Sequence, residues 1–252
     1  MTQQLEPSMN DALPEERSPE PEPAPERREP VFNLPVIVIA AIALCVGIHL
    51  LRLYVLTPDQ DFELILRGAF IPIRYSGQFD LDVYAFTSPV TYSFLHGSVT
   101  HLLINMVWLA AFGSPLANRL GALRFSVFWV VSSIAAVALH YSLHSMDNAP
   151  LVGASGAIAG MMGAAARFGF RVDRSAGKPA FAGTLLPVSL VFRSRTVMTF
   201  LVVWMVVNLV TGIYGFGPDM ANRIAWEAHV GGFLVGFFGI QFFDRPQRMM
   251  TL

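Results

Sequence analysis

Ser155 stands in Gly-Ala-Ser-Gly, residues Gly153 to Gly156, at the head of an alanine- and glycine-rich run with no other hydroxyl before Arg167. His229 sits in a similar setting, just ahead of Gly231 and Gly232. His101 and Asn105 lie four apart in His-Leu-Leu-Ile-Asn, which puts both on one face of a helix. A serine hydroxyl is a weak nucleophile until a base takes its proton, and imidazole titrates in the right range to do so. Acyl transfer also needs donors aimed at the developing oxyanion. Backbone N–H groups in the first turn of a helix are free for this, because they have no intrahelical partner. The His101 imidazole and the Asn105 amide would add two more donors. Four positions therefore offer every role in a serine-hydrolase site. Ser155 taken alone has a plainer reading, as one small residue in a helix-packing face.

The surrounding sequence dictates what must position these residues. Charged residues make up 14% of the 252-residue chain and hydrophobic ones 54%, against roughly 25% charged in a typical soluble domain. Apolar segments fall at about 34–56, 101–117, 123–143, 153–170, 196–214 and 226–243, most of them near the ~20 residues that cross a bilayer as helix. The second is expected to close early, at Pro115, Asn118 and Arg119. The apolar stretch 181–192 is short, contains Pro187 and reads as an interfacial loop. The expected fold is an all-α membrane protein of six transmembrane helices over residues 32–245. A disordered Pro/Glu-rich tail precedes it over 1–31, and a short C-terminal tail follows over 246–252.

Orientation follows from the basic residues. Of 17 Lys and Arg, only Arg52, Arg67, Arg74 and Arg223 fall on one side of a six-span arrangement. The positive-inside rule then puts both termini in the cytoplasm and Ser155 near the outer surface. His101, Asn105 and His229 lie at similar depth, each near the outer end of its helix. Residues 57–95 form a long outer loop with the mixed pattern of an element lying on the membrane surface. The lone Cys45 can form no internal disulfide. Gly156, Gly160 and Gly163 line one side of the fourth span, and Gly231, Gly232, Gly236 and Gly239 one side of the sixth. Such faces let backbones approach closely, as a hydroxyl–imidazole contact between two helices requires.

Gly-Ala-Ser-Gly, His-Leu-Leu-Ile-Asn and Ala228-His-Val-Gly-Gly232 resemble the GxSG, HxxxN and AHxGG motifs of the rhomboid intramembrane serine proteases, in the same order and on spans two, four and six. The resemblance covers roughly 34–243. It implies that Ser155 is the nucleophile and His229 the general base and acid of a dyad. His101, Asn105 and the Ser155 backbone N–H would form the oxyanion hole, with Ala154 assisting, and Gly153, Gly156, Gly160 and Gly232 would be structural. The implied reaction is hydrolysis of a peptide bond in or near a substrate's transmembrane segment. The implied partners are transmembrane protein substrates and the lipid bilayer, with no nucleic acid. No metal and no organic cofactor are implied, and a bacterial inner membrane is the expected location. Three positions depart from the family's pattern. The loop Asp82–Gly97 lacks the Trp-Arg pair of many bacterial members, Ala117 replaces a common glutamate, and Ala159 stands where some members place an aromatic ring beneath the histidine.

Other readings compete. One is a catalytically inactive rhomboid-like protein that binds transmembrane clients; such relatives typically lack the serine or histidine kept here. Another is a small transporter, which would call for midplane carboxylates or broken helices, and the spans contain almost none. His140 and His144, with Asp147, read as an interfacial polar group rather than a metal site. His49 and Arg52 are expected to reach for the outer interface, and His96 to support the outer loop by hydrogen bonding.

Overall fold

In the computed structural model the described residues are 34–175, 177–214 and 225–244. The two expected tails lie outside them, as does Arg223. Among the described residues, four helices are long and apolar enough to cross a membrane: α1 (Val36–Tyr54), the composite helix Val99–Leu120, α6 (Ala122–His144) and Arg195–Ile213 of α9 (Arg195–Tyr214). The remaining two apolar segments form shorter helices, α7 (Ser155–Arg167) and α10 (Trp226–Leu234). The latter is continued by a π turn over Val235–Gly239 and a 3-10 turn over Ile240–Phe242. A two-stranded antiparallel ladder, β1 (Val172–Asp173) with β2 (Ala180–Phe181), and the short α8 (Val188–Val191) fill the connection from α7 to α9.

The second apolar segment runs on to Leu120, through the Pro115, Asn118 and Arg119 expected to close it by 117. It comprises α4 (Val99–Trp108), a π turn over Leu109–Gly113 and α5 (Ser114–Leu120). The π turn comes just before Pro115, so the missing proline N–H and its ring are met by an already widened turn rather than a regular one. The polar residues expected to end the helix have partners. Asn118 donates to the Pro179 carbonyl at 2.9 Å, and Arg119 pairs with Asp244 at 2.7 Å. Arg119 also donates to the Phe181 carbonyl and lies over the Phe168 ring.

The long loop 57–95, expected to face outward, has its own secondary structure, α2 (Pro58–Gly68) and α3 (Val83–Thr91). Thr57 caps α2 through a reciprocal capping box with Gln60, Pro58 opens the helix, and Asp59 and Asp61 sit in its first turn. In place of a Trp-Arg pair, Arg52 at the end of α1 ties this loop down. It pairs with Asp61 at 2.6 Å and donates to the His96 carbonyl at 2.7 Å. His96 thus supports the loop through its backbone. Its ring is buried edge-on against His101. His49 differs too: it is buried, not interfacial, because α1 packs against α4 at that level.

α7 is the centre of the molecule. Every residue from Gly156 to Arg167 is buried, and α10, α6 and the α4–α5 helix pack against it. A helix with no polar stripe belongs in such a position. Its small residues let the α10 backbone reach it directly. A Cβ built on Gly232 would strike the Gly156 carbonyl, and one on Gly236 the Gly160 carbonyl. At the far end Arg167 is buried rather than part of a basic loop. It donates to the Phe237 carbonyl at 2.6 Å and to the Leu186 carbonyl at 2.9 Å, closing the seam between α7 and α10.

Candidate functional site

Ser155 is the first residue of α7, and the chain is steered into it from the outer loop. Phe70 and Leu151 form a short antiparallel bridge, with N–H to carbonyl distances of 3.1 and 2.8 Å. The Gly153 N–H then donates to the Tyr92 carbonyl at 3.0 Å. Gly153 has φ +130, a backbone that favours glycine. The space beside it is also taken: an added Cβ would sit 2.9 Å from His101 Nε2 and 3.6 Å from Ser155 Oγ. The imidazole and the hydroxyl therefore border the same small volume beside Gly153. Ala154 is fully buried, and its carbonyl accepts the first helical bond, from Ile158. As the opening residue of the helix, Ser155 has no intrahelical acceptor for its own N–H.

His101 and Asn105 reach the site from α4. Ser98 caps that helix, accepting from the His101 N–H at 3.2 Å. His101 is half-buried and Asn105 is buried one turn below it. The Asn105 amide donates back to the His101 carbonyl at 3.0 Å, so in this structure its nitrogen is engaged within the helix. His101 is thus beside Ser155, and Asn105 lies one turn further along α4 on the same face.

His229 arrives on α10. The residues next to Ser155 and His229 meet across the seam, since a Cβ on Gly156 would lie 3.8 Å from the Ala228 carbonyl. Ser132 comes within contact of Gly160, and Gly160 of Gly232, one turn deeper. Ser155 and His229 thereby flank one end of a backbone-to-backbone contact.

Asn208, on α9, is a residue that the sequence reading missed. Its amide nitrogen donates to the Trp204 carbonyl at 2.8 Å, which turns Oδ1 toward His229, where it accepts a hydrogen bond from Nδ1. Given that orientation of the amide, Nδ1 carries the proton and Nε2 presents a lone pair. The signal was available, because a carboxamide inside an apolar span is itself a functional pointer. Ala159 offers no ring under the histidine, and Asn208 supplies support from another helix.

His140 and His144 do come together, but with Glu227 rather than Asp147. His140 Nδ1 lies 2.7 Å and His144 Nε2 3.2 Å from Glu227 Oε1. Asp147 instead caps its own turn, accepting from the Ala149 N–H. The remaining predicted positions, Gly153, Gly156, Gly160 and Gly232, all lie at close approaches.

A sequence model of the family described as Rhomboid domain matches residues 85–244. RHOMBOID-like protein 5 of Arabidopsis thaliana is 30% identical over 155 residues, 61% of this chain and 43% of the relative. Rhomboid protease GlpG of Yersinia pestis (strain Pestoides F) is 26% identical over 216 residues, 86% of this chain and 65% of the relative. The chain spans less than two thirds of the length of either relative.

Proposed function

Since the chain belongs to the rhomboid family, we propose that it is an intramembrane serine endopeptidase that cleaves membrane-protein substrates in or near their transmembrane segments. Four helices fit a membrane by length and composition. The proposal adds α7 and α10 as the fourth and sixth of six spans, with both termini cytoplasmic and the site near the outer face, in a bacterial inner membrane. One observation carries the reading: glycine contacts draw α7 and α10 together at Gly156 and Ala228, the neighbours of Ser155 and His229.

In the proposed mechanism the Ser155 hydroxyl attacks the scissile carbonyl while His229 Nε2 takes its proton. The proton then passes to the leaving amine, the acyl-serine ester forms, and water reverses the sequence to release the acid. The developing oxyanion accepts from the Ser155 backbone N–H and the His101 imidazole, with Asn105 joining once its amide turns from the His101 carbonyl. Asn208 is a positioning residue that acts through His229. Its oxygen holds the productive tautomer and stabilises the imidazolium as it forms. Hydrolysis in this scheme needs no metal.

Labelling the detergent-purified protein with a fluorophosphonate probe tests the reading. Labelling and cleavage of a model transmembrane substrate are both expected in the wild type and absent in Ser155→Ala and His229→Ala. Full activity in the serine variant refutes the mechanism. A wild type that neither labels nor cleaves supports client binding without catalysis.

A further inference from the structure

Outside the proposed catalytic site, the end of α6 and the start of α10 place two imidazoles and a carboxylate together. His140 and His144 are one turn apart on α6, with ring centroids 5.1 Å apart, and Glu227 is the second residue of α10. Both rings direct a nitrogen at the same carboxylate oxygen, at 2.7 and 3.2 Å, and the three donor atoms all lie within 4.8 Å of one another. Glu227 is 3% exposed and His140 7%. His144 ends the 23-residue α6, and Glu227 faces it from α10, a helix that packs on both α6 and α7.

We propose that His140, His144 and Glu227 form a binding site for a borderline divalent cation of the Zn2+ class. Imidazole nitrogen and carboxylate oxygen bind such ions at about 2.0–2.2 Å, and tetrahedral coordination at that length separates ligand atoms by about 3.3–3.5 Å. The two nitrogen–oxygen separations, 2.7 and 3.2 Å, fall just short of that range, and all three donors lie within 4.8 Å, so small side-chain rotations would bring them onto one ion. The spacing His-x-x-x-His on one helix face supplies two ligands, and the second helix supplies the anionic third. The His144 side chain is 46% exposed, which leaves a route for the ion and an open position for water. Three imidazole and carboxylate ligands select for Zn2+, Co2+ or Ni2+ over Mg2+ and Ca2+, which prefer all-oxygen cages. The alternative arrangement has Glu227 simply accepting a hydrogen bond from each ring. Occupancy would clamp the end of α6 to the start of α10, two residues ahead of His229. The site does not depend on the protease reading.

The test uses full-length protein without a polyhistidine tag, stripped with a chelator in detergent and titrated with Co2+ alone. The expected result is visible d–d absorption of four- or five-coordinate Co2+, saturating at one ion per chain and displaced by Zn2+. Zn2+ should also raise the thermal midpoint. His144→Ala, a partly exposed position, should weaken Co2+ binding at least tenfold while the protein stays folded. His140→Ala and Glu227→Gln should do the same where they fold. A wild type that shows no saturable Co2+ spectrum overturns the proposal, as does His144→Ala binding with unchanged affinity.

Discussion

Replacing Asn208 with alanine removes the acceptor at His229 Nδ1 and leaves Ser155 and His229, the proposed dyad, untouched. The size of the effect follows from the state the bond serves. In the resting enzyme it joins two neutral groups, but in the transition state the imidazole carries the serine's proton and the bond becomes charge-assisted. Hydrogen bonds to charged groups contribute about 1.5–3 kcal/mol, and each ~1.4 kcal/mol in the barrier is tenfold in rate. Asn208→Ala should therefore lower kcat by roughly 10- to 150-fold, with KM for a transmembrane substrate nearly unchanged. Second-order labelling of Ser155 by a fluorophosphonate should slow by a similar factor, since it reads the same proton transfer without a peptide substrate. Asn208→Asp keeps an oxygen acceptor and should recover much of the rate, whereas Asn208→Leu should behave like alanine. A kcat for Asn208→Ala within twofold of wild type refutes the positioning role. Equal impairment of the alanine and aspartate variants, with lowered thermal midpoints in both, refutes it in favour of packing.

Two further outcomes are expected. Gly236→Ala would drive a methyl into the Gly160 carbonyl and within 2.8 Å of the Ala164 backbone nitrogen. Neither partner can rotate away, so the variant should lose at least the ~1–3 kcal/mol typical of an overpacked core, together with protease activity; a wild-type melting curve would contradict the close seam. The second concerns acid stability. Burial, with His101, His49 and Arg52 nearby, pushes the His96 pKa down to about 3, below the ~6.5 of an unfolded histidine. Its contribution to stability is therefore complete above about pH 6.5 and is lost as pH falls toward 3. His96→Leu should flatten the acid side of a thermal-midpoint profile while leaving the neutral side parallel to wild type. An unchanged acid side would show that other groups govern it.

Much of this arrangement is written locally. Runs of apolar residues announce the helices, because a bilayer-length segment must satisfy its own backbone. The small-residue faces of α7 and α10 announce their contact, and His101 with Asn105 announces a shared face. What escapes a linear reading depends on partners distant in the chain. Asn208 gains its meaning from a histidine 21 residues away, and Glu227 from His140 87 residues away. The Phe70–Leu151 bridge is pure backbone pairing, so neither side chain signals it. His49 read as interfacial because its position near a helix end is compatible with either direction, and only the packing of α1 on α4 turns it inward. The second span outruns its expected close at 117 because a π turn that admits Pro115 has no compositional signature of its own.

The α7–α10 seam brings backbone against backbone along most of its length. A contact built from long side chains has slack, since each rotamer change moves the helices relative to one another. Glycine against carbonyl has no such freedom: the gauge between the two helices is set by peptide planes alone. Changes in bilayer thickness or temperature that tilt one helix must carry the other with it, so the spacing between Ser155 and His229 is insulated from the membrane's own fluctuations.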